Sequence, residues 1–423
     1  MFNIENGKKQ SIVLAIVACW MFFLYSCAMR TEPSVLIGDL SSDFGICSAS
    51  IGLIVSIAYF SYVSMQIPCG VIVDKLGARL VASICCFGCS IGVLIFGMAT
   101  SVCFLELGRL LIGLFTASAY VCCGKVARDH FDRKKYALLM GAANLAGCLG
   151  GIAGSAPIAF ISSQIGWRKT TFIAAAIGVL ISLLALLVIP KKTESENVSG
   201  SVSENDDGLG GYRTIIKKPR IWLLGFCCAI LYLPICALAE LWIIPFLEVR
   251  FGISTKVASI GAITIFVGSA AGGMLSAWIA EKVNSCRKVI IPCSILVIWA
   301  LWTALFSDSI DYAWCIFFLM VSGILSASNI LAYPIVCSVI PDRYSGTAVG
   351  FMNTLIMLSG IIFQPLLGKL LDFFRNGLID NAGHPIYTVI TYRSAFLFII
   401  IGAIFAGIAV FFIDDAKFIR RKE

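Results

Sequence analysis

The 423-residue sequence has little charge: Asp, Glu, Lys and Arg make up 13% of it, and it holds only two histidines. Soluble domains carry about 25% charged residues. Too few polar side chains are therefore present to cover a soluble chain of this length, which disfavours a soluble enzyme, a disordered protein and a nucleic-acid binder. Apolar residues instead amount to 59% of the chain. This composition indicates a protein that lies in a lipid bilayer.

Apolar runs long enough to cross a bilayer recur along the whole chain. A hydrocarbon core of about 30 Å needs roughly 20 helical residues. The first run is too long for a signal peptide and is followed by eleven more, so we interpret it as a retained helix. We predict twelve membrane-spanning helices, at residues 11–38, 49–73, 80–100, 103–125, 136–163, 169–190, 221–247, 256–280, 288–306, 312–339, 346–371 and 393–414.

Lysine and arginine are distributed unevenly between the loops that join these runs. With the N-terminus in the cytoplasm, inward loops hold about three times as many basic residues as outward loops, which places both termini in the cytoplasm. The one long polar insertion, residues 193–211, is typical of a flexible linker. We therefore expect an N-terminal six-helix bundle (1–190), a cytoplasmic linker (191–220) and a C-terminal six-helix bundle (221–423).

Short motifs recur in the same order in the two halves of the chain. Such a parallel duplication predicts an all-α membrane fold in which two six-helix bundles are related by a pseudo-two-fold axis, with a cavity between them that suits alternating access. The recurring motifs are Phe44-Gly45-Ile46 and Phe251-Gly252-Ile253, Gly141 with Asn144 and Gly350 with Asn353, and Trp167-Arg168 and Tyr392-Arg393.

The loop after the second predicted span reads Gly70-Val-Ile-Val-Asp74-Lys75-Leu-Gly77-Ala-Arg79. Gly70 would let a neighbouring helix approach closely, Gly77 would make the turn, and Asp74 would accept from a helix N-terminus or pair with a base. Lys75 and Arg79 would hold the cytoplasmic face. We predict that this loop acts as a cytoplasmic gate, and its spacing resembles the loop signature of the major facilitator superfamily.

Further motifs carry the same resemblance. Arg109-Leu-Leu-Ile-Gly113 resembles a motif that is linked to proton coupling in that superfamily. Residues 30–35 and 59–68 are similar to the phagosomal nutrient transporters of intracellular bacteria, which import amino acids or nucleosides. The resemblance implies the major facilitator fold, a bacterial inner-membrane location, and a central cavity lined by the first, fourth and seventh helices.

Five ionisable residues lie well inside the predicted spans: Arg30, Glu32, Glu106, Arg109 and Glu240. Because each costs at least about 2.5–3.5 kcal/mol to insert, all five are functional candidates, with structural ion pairs as the alternative. Glu106 and Arg109 share a helix face and are placed to neutralise one another. Glu240 falls near the repeat equivalent of Arg30, so we expect a cation and an anion to face one cavity.

Helical geometry also separates the two charges of the first span. Arg30 and Glu32 are two residues apart, so their side chains should point in different directions. Pro33 follows directly and should loosen the helix, which would free backbone carbonyls beside these charges.

These features lead to a transport hypothesis. We expect Arg30 to bind a substrate carboxylate and Glu240 to bind a substrate amine or carry the coupling proton, with Glu32, Glu106 and Arg109 as the other proton-coupling candidates. Other residues expected to shape the substrate site are Tyr59, Tyr62, Asn144 and Asn353.

The function predicted from the sequence is proton-coupled uptake of a small polar or zwitterionic solute, such as an amino acid or small peptide. The alternatives are export, import of a nucleoside or organic anion, and a receptor that does not transport. Sodium is the alternative coupling ion. We expect a monomer in the lipid bilayer with no enzymatic activity, cofactor, metal or nucleic-acid partner, because no catalytic or nucleotide-binding motif is found.

Overall fold

A computed structural model shows a helical protein and describes residues 2–131, 133–190, 215–340, 345–375, 377, 385–413 and 415. Twelve helical segments within these ranges are long and apolar enough to cross a membrane. The twelve predicted spans are thereby confirmed, and they are numbered in chain order below. Residues 191–214, which include most of the predicted linker, lie outside the described residues.

Seven spans consist of a single α-helix. They are span 2 (Ser48–Leu76), span 3 (Ala78–Gly97), span 6 (Trp167–Val188), span 8 (Thr255–Lys282), span 9 (Arg287–Phe306), span 11 (Ser345–Phe374) and span 12 (Val389–Ala409, followed by a 3₁₀ turn at Val410–Phe412).

The other five spans are interrupted. Spans 1 and 7, and likewise spans 4 and 10, occupy corresponding places in the two halves, so these breaks recur with the sequence repeat. Interrupted helices at corresponding positions of two repeats are typical of substrate sites in membrane proteins. The pieces are Phe2–Thr31 and Pro33–Phe44 in span 1, Val102–Thr116 and Ala119–His130 in span 4, Arg133–Ala153 and Ala156–Ile165 in span 5, Pro219–Leu231, Pro234–Trp242 and Ile243–Phe251 in span 7, and Tyr312–Ser326, Ala327–Leu331 and Ala332–Ser338 in span 10.

Pairs of glycines four residues apart hold neighbouring spans together. A Cβ atom on Gly150 or Gly154 of span 5 would lie 2.2 Å from the Leu24 carbonyl oxygen or 2.3 Å from that of Ala28, both in span 1. In the second half, Gly272 of span 8 stands in the same relation to the backbone of span 10. Because membrane helices associate through close backbone contact, these glycines fix the packing of their bundles.

The chain divides into two compact units. The first comprises Met1–Phe44 and Ile54–Ser203, and the second comprises Gly45–Leu53 and Glu204–Glu423. The first turns of span 2 therefore belong to the second unit, and the rest of that helix belongs to the first.

Large apolar side chains remain exposed along the helices. Leu187 is 79% exposed and Ile390 is 74% exposed. Extended apolar surface of this kind is unfavourable in water and suits contact with lipid tails.

Arginines at the start of spans 6 and 12 bind equivalent helix ends. Arg168 donates from Nη1 to the Ala99 carbonyl at 2.6 Å, just past the end of span 3. Arg393 donates from Nε to the Leu305 carbonyl at 2.9 Å, in the last turn of span 9. The carbonyls that end a helix lack helical partners, so each arginine satisfies one of them. The repeated Trp167-Arg168 and Tyr392-Arg393 motifs therefore contact corresponding spans.

The first turn of span 2 is capped by Asp372, near the end of span 11, and by Tyr387, just before span 12. The Ala49 N–H donates to Asp372 Oδ2 at 2.8 Å, and the Ser48 N–H donates to the Tyr387 hydroxyl at 3.0 Å. The Tyr387 hydroxyl in turn donates to Asp372 Oδ1. Because the first N–H groups of a helix have no partner inside it, these bonds stabilise the start of span 2.

Candidate functional site

The break in span 1 is built around Pro33. An α-helix would pair the N–H of residue 33 with the carbonyl of Met29, but proline has no N–H. The Arg109 guanidinium of span 4 takes its place and donates from Nη1 to the Met29 carbonyl at 2.7 Å. Nη2 lies 3.4 Å from the Arg30 carbonyl. The predicted release of a carbonyl beside the charged residues is confirmed, and Arg109 is the group that binds it.

Glu32 lies at this break, between the two helices of span 1, and its side chain is fully buried. The Thr171 hydroxyl of span 6 donates to its Oε1 atom at 2.9 Å. Its other oxygen, Oε2, has no hydrogen-bond partner among the described residues. Arg109 is also fully buried and attracts the Glu32 carboxylate electrostatically. Two of the predicted proton-coupling residues are thus brought into one buried cluster with Thr171.

Arg30 points away from this cluster, toward span 2. Its guanidinium carbon lies 5.6 Å from the centre of the Tyr59 ring, within the range of a cation–π interaction. Tyr59 is buried, while Arg30 is half-buried. The prediction that Arg30 and Glu32 point in different directions is confirmed, because one contacts span 2 and the other contacts span 6. Two predicted substrate-binding residues, Arg30 and Tyr59, are in contact.

The remaining candidates of the first unit are less buried. Tyr62 is half-buried in span 2, Glu106 is half-buried in span 4, and Asn144 is exposed in span 5. Arg109 donates to span 1, and a neutralising Glu106–Arg109 pair stays a prediction.

Glu240, the charged candidate of the second unit, lies in a π-helical segment. This segment, Pro234–Trp242, interrupts span 7, and all nine of its residues are buried. π-helical turns are rare and occur frequently at functional sites. Glu240 itself is 1% exposed.

A glutamine of span 11 packs against this π-helical segment. Gln364 is fully buried and donates from Nε2 to the Cys236 carbonyl, while its Oε1 atom has no partner within the described part of the chain. The Cys236 thiol lies 3.3 Å from the Ser359 hydroxyl. Our sequence reasoning missed Gln364, which could have been found as an amide directly before a proline, Pro365, inside a membrane span.

Asn353 of span 11 is paired with a tyrosine of span 10. The Tyr333 hydroxyl donates to Asn353 Oδ1 at 3.1 Å. Asn353 and its repeat partner Asn144 therefore differ in surroundings, since the latter is exposed in span 5.

The predicted gate loop is partly as expected. Gly77 makes the turn before span 3 with a φ of 80°, a conformation that favours glycine. Outside its own helix, no described atom lies within 4 Å of the place of a Gly70 Cβ, so the close helix approach expected of Gly70 is not found among the described residues. Lys75 is exposed and Arg79 is half-buried, while the side chain of Asp74 lies outside the described part of the molecule.

Two curated proteins are similar to this chain along most of its length. It is 24% identical to the D-galactonate transporter of Escherichia coli O6:H1, over 86% of this chain and 90% of that protein. It is 23% identical to the probable galactarate/D-glucarate transporter GudP of Bacillus subtilis, over 91% and 92% of the two chains.

A solved structure shares the fold. A bacterial homologue of the human lysosomal transporter Spinster, in its inward-facing and occupied conformation, matches with a TM-score of 0.77 and 18% identity, over 94% of this chain and 95% of that one. The family model of the Major Facilitator Superfamily matches residues 14–374. The chain therefore belongs to the Major Facilitator Superfamily and is a membrane transporter of small solutes.

Proposed function

We propose that this protein imports a small organic anion together with protons, by alternating access, and that Arg30 binds the carboxylate of the substrate. The observation that carries the proposal is the placement of Arg30: a half-buried cation beside the break in span 1, with its guanidinium near the Tyr59 ring. A guanidinium offers a planar pair of donors that matches a carboxylate, and an aromatic ring beside it provides an apolar wall for the carbon chain.

The names of the relatives support a sugar acid as the substrate. Galactonate, galactarate and glucarate all carry carboxylates and hydroxyl groups, and none has an amine. Glu240 of the second unit also supports a substrate without an amine. An ammonium group would need an accessible carboxylate, and Glu240 is only 1% exposed. The amino acid or small peptide expected from the sequence is the alternative substrate, with Tyr62, Asn144 and Asn353 as further binding residues in either case.

Glu32 is our choice for the residue that carries the coupling proton. Its carboxyl is fully buried, is bound by Thr171, and lies near the Arg109 cation. A buried carboxylate is costly unless it is paired and hydrogen-bonded, so its protonation state responds to any opening of the surrounding helices. Glu106 and Glu240 are the other candidates for this role, and sodium is the alternative ion.

Uptake into proteoliposomes tests both roles. Under an imposed gradient with an alkaline interior, labelled galactonate or glucarate should accumulate and should leak out when a protonophore is added. Arg30→Ala should lower this uptake at least about tenfold, and Arg30→Lys should lower it less, because lysine keeps the charge but loses the planar fork. Accumulation of labelled amino acids alone would establish the alternative substrate.

The coupling role has its own readout in the same vesicles. Glu32→Gln should abolish gradient-driven accumulation but retain exchange of labelled for unlabelled substrate, a process that needs no net proton movement. Glu106→Gln is the matched control and should retain both activities. If Glu32→Gln still accumulates substrate under the gradient, Glu32 is not the proton site. If only Glu106→Gln or Glu240→Gln loses this accumulation, that residue is the proton site instead.

We further propose that the protein works as a monomer in a bacterial inner membrane, with both termini in the cytoplasm. The excess of basic residues in the inward loops supports this orientation. In the same arrangement, residues 1–190 and 221–423 form the two bundles, residues 191–220 link them, and the Gly70–Arg79 loop gates the cytoplasmic side. Fluorescent and phosphatase fusions at the C-terminus test the orientation, since only a cytoplasmic terminus gives fluorescence without phosphatase activity.

A further inference from the structure

The Thr171 hydroxyl of span 6 lies near two acceptors at once. Its Oγ1 atom is 2.9 Å from Glu32 Oε1 and 3.0 Å from the carbonyl oxygen of Trp167. A threonine hydroxyl has a single proton to donate and two lone pairs that accept. Thr171 therefore cannot donate fully to both acceptors, and its hydroxyl proton can point either to Glu32 Oε1 or to the Trp167 carbonyl oxygen.

These two places match the two protonation states of Glu32. When Glu32 is ionised, Thr171 donates to Oε1. When a proton from water binds Oε1, the new carboxyl O–H donates to Thr171 Oγ1, and the threonine proton turns to the Trp167 carbonyl. The proton comes from a hydronium ion, which becomes water: one O–H bond breaks there, one forms on Oε1, and the threonine hydroxyl only rotates. In both states every hydrogen between these three groups has an acceptor, which matters because both side chains are fully buried.

We propose that Thr171 is a positioning residue of the proton site, which lets Glu32 gain and lose its proton while the hydrogen bond between the two side chains is kept. This inference rests on the proposed role of Glu32 in coupling.

The other groups around Glu32 do not offer the same exchange. The charged and titratable groups that interact with it are Arg109 from span 4, Cys89 from span 3 and Tyr25 from span 1. Arginine donates hydrogen bonds but cannot accept one, so it serves only the ionised state. Among the described residues, Thr171 is the one that the structure shows hydrogen-bonded to the Glu32 carboxyl, and its hydroxyl can change from donor to acceptor.

The frame around Thr171 holds its helix against span 1. Trp167, one turn earlier in span 6, donates from Nε1 to Asp43 Oδ2 at 3.0 Å, and Asp43 lies near the end of span 1. Arg168 binds the same carboxylate at 3.4 Å. These contacts fix the start of span 6 to the end of span 1, so Thr171 is held at a set distance from Glu32.

A neighbouring residue provides a matched control. Thr170 is also buried, and its hydroxyl donates to the Gly166 carbonyl at 2.9 Å, one turn back in the same helix. Thr170→Val therefore makes the same chemical change on the same helix. A general effect of valine on span 6 would appear in both variants, whereas an effect on the proton site should appear only in Thr171→Val.

Infrared titration of the Glu32 carboxyl in proteoliposomes tests the proposal without any substrate. The C=O band that Glu32→Gln lacks reports protonation of this residue. In Thr171→Val the band should change in frequency, because its hydrogen bond is lost, and its midpoint should move to higher pH by about one unit, since a bond to an ionised group is the stronger one. Thr171→Ser should restore both properties, and Thr170→Val should leave them as in the wild type.

The outcomes separate this proposal from the proposed function. An unchanged band and midpoint in Thr171→Val would overturn the role of Thr171, as would a Thr171→Ser variant that behaves like the valine variant. If Thr171→Val fails to fold, Thr171→Ala takes its place in the same measurement. If the titration follows our expectation but no organic anion is transported, the substrate assignment fails while the role of Thr171 stands.

Discussion

Arg109 Nη1 donates to the carbonyl oxygen of Met29 at 2.7 Å, the carbonyl that Pro33 leaves without a helical partner. A side chain of span 4 thus completes the backbone hydrogen bonding of span 1. Arg109 lies 79 positions after Arg30, the residue that follows Met29 in the chain. In the folded protein Met29, Pro33 and Arg109 are all buried, at the helix break beside Glu32.

The first prediction is that Arg109 and Pro33 are energetically coupled. Arg109→Ala leaves the Met29 carbonyl buried without a partner, which costs about 1–3 kcal/mol in addition to other losses. Pro33→Ala supplies an N–H for that carbonyl. In the Pro33→Ala background, Arg109→Ala should therefore cost about 1–2 kcal/mol less than in the wild type, as measured by unfolding in mixed detergent micelles.

A second proline provides the control for this cycle. Pro365 lies inside span 11, in the second unit. The effects of Pro365→Ala and Arg109→Ala should add, because Pro365→Ala provides no N–H for the Met29 carbonyl that Arg109 binds. Additive effects of Pro33→Ala and Arg109→Ala would show instead that Arg109 does not replace the missing helical bond.

Much of the fold was predictable, because hydropathy and membrane thickness together limit where helices begin and end. The break at Pro33 and the opposite directions of Arg30 and Glu32 followed from proline chemistry and helical geometry alone. The partners of these residues did not follow. Nothing in the sequence around Thr171 distinguishes it from Thr170, and only the packing of span 6 on span 1 places one of them beside Glu32.

The second unit shows the same limit. A π-helical turn such as Pro234–Trp242 has no sequence signature that separates it from an ordinary apolar helix, so the sequence indicated Glu240 as a candidate but not its surroundings. Gln364 was missed because an amide in a membrane span is more often a packing residue. Its role depends on a carbonyl 128 residues away in the chain, that of Cys236.

Gly113 should not tolerate a methyl group. A Cβ atom there would lie 2.0 Å from the Ala58 carbonyl oxygen and 2.1 Å from Ser61 Oγ, and a backbone carbonyl cannot move aside as a side chain can. Gly113→Ala should therefore push span 4 away from span 2 and lower the free energy of unfolding by about 1–3 kcal/mol. Thermal unfolding of the purified protein measures this change.

Gly141→Ala is the matched control, since no described atom lies within 4 Å of its added Cβ. Alanine favours a helix over glycine by about 0.5–1 kcal/mol, so this variant should be slightly more stable than the wild type. Equal behaviour of the two variants would mean that the close approach at Gly113 does not limit stability.

Asp372→Asn should weaken the start of span 2. Asp372 accepts from the Ala49 N–H with one oxygen and from the Tyr387 hydroxyl with the other, so asparagine loses one acceptor and the charge that favours a helix N-terminus. We expect a loss of about 1–2 kcal/mol in unfolding free energy. Asp308→Asn is the control: Asp308 pairs with Arg393 at 2.6 Å but is highly exposed, and its change should have a smaller effect. A larger loss for the exposed residue would contradict the capping role of Asp372.

The last prediction concerns the pH dependence of the Tyr387 contacts. Burial, together with the hydrogen bond that it donates to Asp372, raises the pKa of Tyr387 to about 12, above the ordinary value of about 10. The neutral phenol is therefore favoured in the folded protein. Its contribution to stability is fully present below pH 10 and is lost as the pH rises toward 12. Tyr387→Phe lacks the hydroxyl and has no such contribution to lose. The stability difference between wild type and variant, measured by thermal unfolding, should therefore shrink between pH 10 and pH 12. The other tyrosines and the lysines titrate in both proteins, so they do not contribute to this difference. A difference that stays constant over this range would show that Tyr387 does not lose its hydrogen bond to Asp372 by ionising.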